Sequence, residues 1–198
     1  PLIVTTCVNE LLSSACLSLA LNPLMTQGQI DALESHANED IKNIFLPKLN
    51  SGEWSGTMNL TEPQAGSDVG ALRTLALKDN DGTYKITGQK IYISWGDHSL
   101  SSNICHLLLA RLPNSPKGTK GISLFLVPKY IPDQNGNINE VNSINTISLE
   151  HKMGLHGSPT AVLEYKNAKA WLIGEENRGM MAMFTMMNNA RLGVAVQG

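Results

Sequence analysis

The stretch "LTEPQAGSD" (residues 60–68) marks the point at which the pattern of the chain changes. It combines acidic residues, a proline, a glycine and two hydroxyl residues within nine positions. Proline fixes φ, glycine permits positive φ, and Ser or Asp caps the next element of the chain, so the stretch alone is consistent with a turn. Whether it forms a turn or part of a binding site depends on the sequence to either side.

The residues before this stretch have helical periodicity. Residues 2–21 place apolar side chains at spacings of three and four, which predicts a helix that Asn22-Pro23 ends. Thr26 to Gln29 have the form of a capping box, which predicts the start of a second helix that fades near Pro47. The first fifty residues therefore predict a pair of helices.

After Trp54 the sequence changes to short apolar segments separated by turns. Residues 74–78 and 83–94 flank the turn Asp79-Asn80-Asp81-Gly82, which is typical of a hairpin. Further runs of strand length lie at 104–112, 121–127 and 161–173. Many short strands with turns between them favour a small β-barrel or sandwich. Helical spacing returns across residues 180–196, so the predicted order is helices, β-domain, helix.

Composition limits the classes of function. The 198 residues are 42% hydrophobic with a net charge of −2, enough for one sizeable core and without the basic balance of a nucleic-acid-binding domain. There is no run of 18 apolar residues, so no membrane span is expected. Cys7, Cys16 and Cys105 are interpreted as reduced core residues. The five histidines lack metal-ligand spacing, so we expect no metal site.

Five segments, in this order and spacing, resemble the acyl-CoA dehydrogenase family of flavoproteins across essentially the whole chain. The family shows T-E-P-x-x-G-S-D and then a G-x-K-x-W/Y-I-T/S strand some two dozen residues later. The sequence of residues 96–130 is similar to the sequences of a long bacterial branch of the family that includes the methylmercaptopropionyl-CoA dehydrogenases. The segments are "LTEPQAGSD" (60–68), "GQKIYIS" (88–94), "KGISLFLVP" (120–128), "KMGLHGSPT" (152–160) and "NNARLGVAVQG" (188–198).

The resemblance implies an FAD site in the first of these segments. It would place Met58, Leu60 and Thr61 along the flavin, with the Thr61 hydroxyl near the pyrimidine edge of the ring. Gly66 has no Cβ, so a ligand can approach the backbone there. Ser67 matches the family position that contacts acyl-CoA as well as FAD.

The "YIS" sequence departs conservatively from the usual W-I-T of the family. The resemblance implies that Tyr92 lies against the flavin ring, with Ile93 beside it, and that the Ser94 hydroxyl bonds flavin N5. Without the resemblance, the sequence favours ordinary strand residues at Thr61 and Ser94 and a packed core aromatic at Tyr92.

On the last helix, Asn188 and Arg191 share a face because they are three residues apart. The family usually has Asp-x-x-Arg at these positions, both contacting bound acyl-CoA. A fixed cation at Arg191 suits that ligand, whereas Asn188 departs from the usual Asp, which leaves its contact open. A solvated helix residue is the alternative interpretation of Arg191.

The resemblance implies an α+β fold in three parts. They are the end of an N-terminal helical domain (1–52), a central β-barrel or sandwich domain (53–173) and the first helix of a C-terminal helical bundle (174–198). The family dehydrogenates an acyl-CoA thioester to the enoyl-CoA, passing a hydride to FAD and then electrons to an electron-transfer flavoprotein. Its catalytic glutamate is expected beyond the end of this chain. We therefore expect a catalytically inactive piece of a longer protein.

The intact protein would be a homodimer or homotetramer. Its expected location is the bacterial cytoplasm, with the mitochondrial matrix left open. Two alternatives of the same fold also stay open: an acyl-CoA oxidase and a DNA-damage-response flavoprotein. Acyl chain length cannot be inferred from these residues.

Overall fold

The structure is a computed structural model that describes residues 2–197. These residues form three α-helices and nine strands in the predicted order of helices, β-domain and helix. The elements are α1 (Leu2–His36), α2 (Glu39–Asn50), β1 (Trp54–Asn59), β2 (Leu75–Lys78), β3 (Tyr84–Ser94), β4 (Asn103–Arg111), β5 (Ile122–Pro128), β6 (Tyr130–Pro132), β7 (Ile138–Val141), β8 (Ile144–Leu149), β9 (Thr160–Ile173) and α3 (Gly179–Gln197).

Helix α1 does not end where the sequence pattern predicts. It continues through Pro23 and is kinked instead at Cys16, whose φ of −158° and ψ of 92° are not helical. Thr26 caps nothing, because its hydroxyl donates to Asn22 O at 3.0 Å and accepts from the Gly56 amide at 3.0 Å, which joins the helix to β1. The predicted boundary is wrong because tertiary packing of the helix outweighs local propensity.

The second helix begins twelve residues later than the capping box suggests. Its N-cap is Asn38, whose side chain accepts a hydrogen bond from Ile41 N at 3.0 Å. Cys105 is buried as predicted, but Cys7 and Cys16 are exposed on α1, so their interpretation as core residues is wrong.

The strands form one seven-stranded sheet and a separate pair, β6 with β7. The pairing runs β1-β4-β2-β3-β9-β5, with β8 beside β9. Because β4 also pairs with β5, the path of pairings closes on itself, which agrees with the predicted barrel or sandwich. One apolar core lies between the helices and the sheet and a second lies inside the sheet.

Within residues 2–197, one segment is long and apolar enough to cross a membrane. This segment, Ile3–His36, meets the criterion by length and composition alone, as core helices and signal sequences also do. The absence of a membrane span therefore stays a prediction.

The "LTEPQAGSD" stretch contains a turn that is closed by backbone hydrogen bonds. Glu62 N donates to Ala65 O at 3.2 Å, and Ala65 N donates to Glu62 O at 2.9 Å. The Glu62 side chain is only 3% exposed. Its carboxylate accepts hydrogen bonds from Lys90 Nζ at 2.8 Å, Arg73 N at 2.7 Å, Gln64 Nε2 at 2.7 Å and Thr74 N at 3.1 Å.

Lys90 is the charged partner of this carboxylate and is fully buried. Its Nζ also donates to Leu60 O at 2.9 Å. Burial raises the pKa of Glu62, but Lys90 and the hydrogen bonds outweigh burial and lower that pKa to about 2. Burial lowers the pKa of Lys90 to about 8 against the opposing effect of Glu62. Both side chains are therefore charged at neutral pH.

We predict that Glu62→Gln destabilises the fold by about 3–5 kcal/mol, because it leaves the Lys90 ammonium buried without a counter-charge. Urea unfolding at pH 7, followed by tryptophan fluorescence, measures this loss. The matched control is Glu53→Gln, which breaks the exposed ion pair with Lys48. The control should change the free energy of unfolding little. Equal losses in the two variants would contradict a special role for the buried pair.

Acid should also change the difference in the free energy of unfolding between the wild-type protein and Glu62→Gln. The folded pKa of Glu62, about 2, lies below its ordinary value of 4.5, so its contribution is complete above pH 4.5 and is lost as pH falls toward 2. The gap in stability between the two proteins should therefore narrow over this range. A gap that stays constant between pH 5 and pH 2.5 would contradict the assignment.

Candidate functional site

A narrow cleft of about 140 Å³ opens between the residues that follow β1 and the end of β3. Its walls come from three elements that are distant in sequence. The cleft is lined by Met25, Met58, Leu60, Thr61, Ile91, Tyr92, Ile93 and Ser94.

An irregularity in β3 forms one wall. The register of β3 on β9 shifts between Lys90 and Ile93, so the intervening residues leave the regular ladder. Tyr92 has a φ of +59° and its side chain is 61% exposed. Ile91 N donates to Thr61 O at 3.0 Å, which joins this wall to the other. Such bulges re-aim side chains, and here the bulge turns an aromatic ring outward.

The cleft combines an apolar surface with unused polar groups. Met25, Met58 and Leu60 supply thioether and aliphatic contacts. Within residues 2–197, the hydroxyls of Thr61 and Ser94 have no intramolecular hydrogen-bond partner, so both are free to bond a ligand. A cleft of this kind suits a flat, largely apolar molecule with a polar edge.

Six of the eight predicted cofactor-binding residues therefore line one cleft. The remaining two, Gly66 and Ser67, lie outside it on the exposed loop that follows the Glu62 turn. No atom lies within 4 Å of the position that a Gly66 Cβ would occupy, so the backbone there is open to close approach. Their proposed ligand contacts stay predictions.

The two residues predicted to bind substrate on α3 are exposed and do not line this cleft. Arg191 Nη1 donates to Asn188 Oδ1 at 2.9 Å, and the guanidinium lies 5.5 Å from the centre of the Phe184 ring. The predicted shared face is therefore confirmed, whereas contact with a ligand stays a prediction. The Arg191 side chain has local partners but retains free donors.

A buried polar chain crosses the sheet behind the cleft. Tyr165 OH donates to Asn59 Oδ1 at 3.0 Å, Asn59 Nδ2 donates to Thr57 Oγ1 at 2.7 Å, and Thr57 Oγ1 lies 2.7 Å from His106 Nδ1. Since the Thr57 hydroxyl is already an acceptor from Asn59, it can donate to His106, which leaves the ring proton on Nε2. Burial lowers the pKa of His106 to about 3, so the ring is neutral.

Sequence reasoning misses several residues that build the site. It assigns Met25 to no site, because it places this residue directly before the start of the predicted second helix. Lys90 lies between Gln89 and Ile91, which gives no local sign that it is buried, although its alternation with Tyr84 and Ile86 along β3 could have indicated an inward-facing lysine. The polar chain at His106 gives no local signal, because its members lie on three strands.

Comparisons with known proteins show the family and the fold of the chain. The family model for the acyl-CoA dehydrogenase middle domain matches residues 57–168. The 3-methylmercaptopropionyl-CoA dehydrogenase of Ruegeria pomeroyi is 50% identical over the whole of this chain, which spans 34% of that protein. The chain therefore covers about a third of the length of this curated relative.

Solved structures give the same result. Butyryl-CoA dehydrogenase from Megasphaera elsdenii superposes with a TM-score of 0.86 at 27% identity, covering 100% of this chain and 49% of that one. A chain from the study of the electron transferring flavoprotein of Acidaminococcus fermentans superposes with a TM-score of 0.85 at 26% identity, covering 100% and 49%. The family model for the middle domain matches more than half of the residues of this chain, which shows that the chain belongs to the acyl-CoA dehydrogenase family.

Proposed function

We propose that this chain is the central part of an FAD-dependent acyl-CoA dehydrogenase, which converts an acyl-CoA thioester to the enoyl-CoA. The observation that carries the proposal is the cleft that brings Thr61, Tyr92 and Ser94 together in a chain of this family. The dehydrogenase names of the relatives support the reaction class.

The residues present fit a flavin. An isoalloxazine needs a flat apolar wall and a few hydrogen-bonding groups at its polar edge, and the cleft offers both. When bound, FAD would supply the hydride acceptor. The hydroxyls of Thr61 and Ser94 would hold the polar edge of the ring, and Tyr92 would cover the ring from the side of the bulge.

The acyl-CoA would be held by groups outside this cleft, for which Ser67, Asn188 and Arg191 are proposed. The electrons would leave to an electron-transfer flavoprotein, and the assembled protein would be a homodimer or homotetramer in the bacterial cytoplasm. The superposition with a chain from an electron transferring flavoprotein study supports the choice of acceptor.

The base that removes the α-proton is proposed to lie outside residues 1–198. Glu62 is the one buried carboxylate among the described residues. Its pKa of about 2 and its bonds to Lys90 make it a poor proton acceptor at neutral pH. The chain on its own is therefore proposed to be inactive.

We predict that Thr61→Val and Ser94→Ala each weaken FAD binding by about fivefold, because each removes one hydrogen bond worth about 1 kcal/mol. Titration of the apoprotein with FAD, followed by flavin fluorescence, measures the Kd. The control is Thr87→Val. Thr87 is exposed and lies on the same strand as Ser94 but outside the cleft, so this variant should leave the Kd unchanged.

The substrate class is tested on the full-length protein. At least one of butyryl-CoA and longer acyl-CoA thioesters, added anaerobically, should bleach the visible absorbance of the flavin. A full-length protein that binds no flavin, or whose bound flavin is bleached by none of these thioesters, would overturn the proposed function.

We also predict that Arg191→Ala weakens acyl-CoA binding by about 1.5–3 kcal/mol and FAD binding much less, because it removes a charge-assisted contact to the substrate alone. Equilibrium titration with each ligand measures the two effects. Arg178→Ala removes an exposed arginine near the start of α3 and should change neither Kd. Equal weakening of both ligands in Arg191→Ala would show a structural role instead.

A further inference from the structure

Arg111, the last residue of β4, uses its guanidinium to bind four backbone carbonyls. The acceptors belong to two loops that are far apart in sequence. The bonds are Nε to Leu72 O at 3.0 Å, Nη2 to Gly70 O at 2.5 Å, Nη1 to Pro116 O at 2.9 Å and Nη2 to Gly118 O at 2.7 Å.

The planar shape of the guanidinium is what makes this arrangement possible. Its donors diverge in one plane and can reach several acceptors at once, which a lysine ammonium on a flexible stem cannot do with the same geometry. Among the described residues, Arg111 forms no ion pair with a carboxylate. Its role in the fold is therefore to join loop 66–72 to loop 115–118.

The two loops meet closely at the guanidinium. A Cβ on Gly70 would lie 3.4 Å from Gly118 Cα, and a Cβ on Gly121 would collide with Pro116 O and lie 2.8 Å from Arg111 Nη1. Beside these contacts the same residues border a cavity of about 580 Å³. Leu72 anchors the first loop in the apolar core, and the hydrogen bonds of Arg111 add a polar connection between the two loops.

Loop 66–72 carries Ser67, whose side chain is exposed. One end of this loop is held by the Glu62 carboxylate, which binds the amides of Arg73 and Thr74. The other fixed points are the carbonyls of Gly70 and Leu72, both bound by Arg111. The segment that follows Ser67 is therefore held by two side chains, one anionic and one cationic, together with the packing of Leu72 in the core.

We propose that Arg111 is a positioning residue for acyl-CoA binding, acting by holding loop 66–72 so that Ser67 meets the thioester ligand. This inference rests on the proposed function of the chain. Arg111 touches neither the flavin cleft nor its lining residues, so its effect falls on substrate binding and leaves the flavin in place.

The test compares Arg111→Lys with the wild-type full-length protein in steady-state turnover of an acyl-CoA that bleaches the wild-type flavin. We expect KM to rise at least tenfold, kcat to stay within threefold and the bound FAD per protein to be unchanged. Lys117→Gln and Arg73→Gln each remove a neighbouring positive charge but none of the four bonds. Both controls should keep the wild-type KM.

Hydrogen exchange of the peptide spanning residues 66–72 gives a readout that does not depend on activity. Arg111→Lys should accelerate exchange at the amides of Ala71 and Leu72, which form the turn beside the guanidinium. If Arg111→Lys does not fold, Gly70→Val pushes the loops apart with the guanidinium intact, and the same rise in KM is expected.

The possible failures are distinguishable. No flavin bleaching by any acyl-CoA in the wild-type protein would overturn the proposed function and, with it, the role of Arg111 in substrate binding. Wild-type turnover with an unchanged KM and unchanged exchange in Arg111→Lys would overturn the inference alone. An equal rise in KM in the Lys117→Gln control would replace positioning by simple charge attraction and would also overturn it.

Discussion

The buried ion pair between Glu62 and Lys90 is the interaction on which the candidate site depends. Thr61, on one wall of the cleft, directly precedes Glu62, and Ile91, on the other wall, directly follows Lys90. Each member of the pair is therefore adjacent in sequence to a residue of one wall, so the ion pair holds the two walls together. The hydrogen bond from Ile91 N to Thr61 O joins the same two walls. Because a buried pair contributes little net stability over an apolar one, its value here lies in specifying which backbone segments meet.

The same pair explains how one short stretch serves both as a turn and as part of a site. Residues 62–65 form the turn that proline and the small residues predict. The carboxylate of Glu62 within this turn pairs with Lys90 and accepts hydrogen bonds from backbone amides. Because its carboxylate is bound in this way, Glu62 is a poor proton acceptor, and the residues on either side of the turn are the ones proposed to bind ligands. Thr61 precedes the turn and lines the cleft, whereas Ser67 lies after it on the loop that Arg111 holds. Two side chains of opposite charge thus hold neighbouring backbone groups at the C-terminal end of that loop.

Local signals in the sequence predict the part of this structure that local physics determines. The order of elements and the hairpin at Asp79–Gly82 follow from periodicity and turn chemistry. The proximity of Thr61 to Tyr92 and Ser94 is instead implied by the family resemblance, and in the structure the bond from Ile91 N to Thr61 O brings the two segments together. The predicted break at Asn22-Pro23 is wrong because the packing of α1 on β1 and α3 outweighs one lost hydrogen bond. Met25, the chain at His106 and the carbonyl contacts of Arg111 could not be predicted, since each depends on contacts between distant segments.

Large apolar side chains are exposed on helices α1 and α3 as well as on strands and loops outside the core of the sheet. On α1, Ile3 and Leu11 are each 73% exposed, and on α3 Phe184 and Val194 are also exposed. Exposed apolar side chains on a helix can mark a surface that another part of a protein covers, and this chain spans about a third of the length of its curated relative. The length and apolar composition of α1 are also what make it meet the criterion for a membrane span. The exposed side chains of the two helices support the proposal that this chain is the central part of a larger protein.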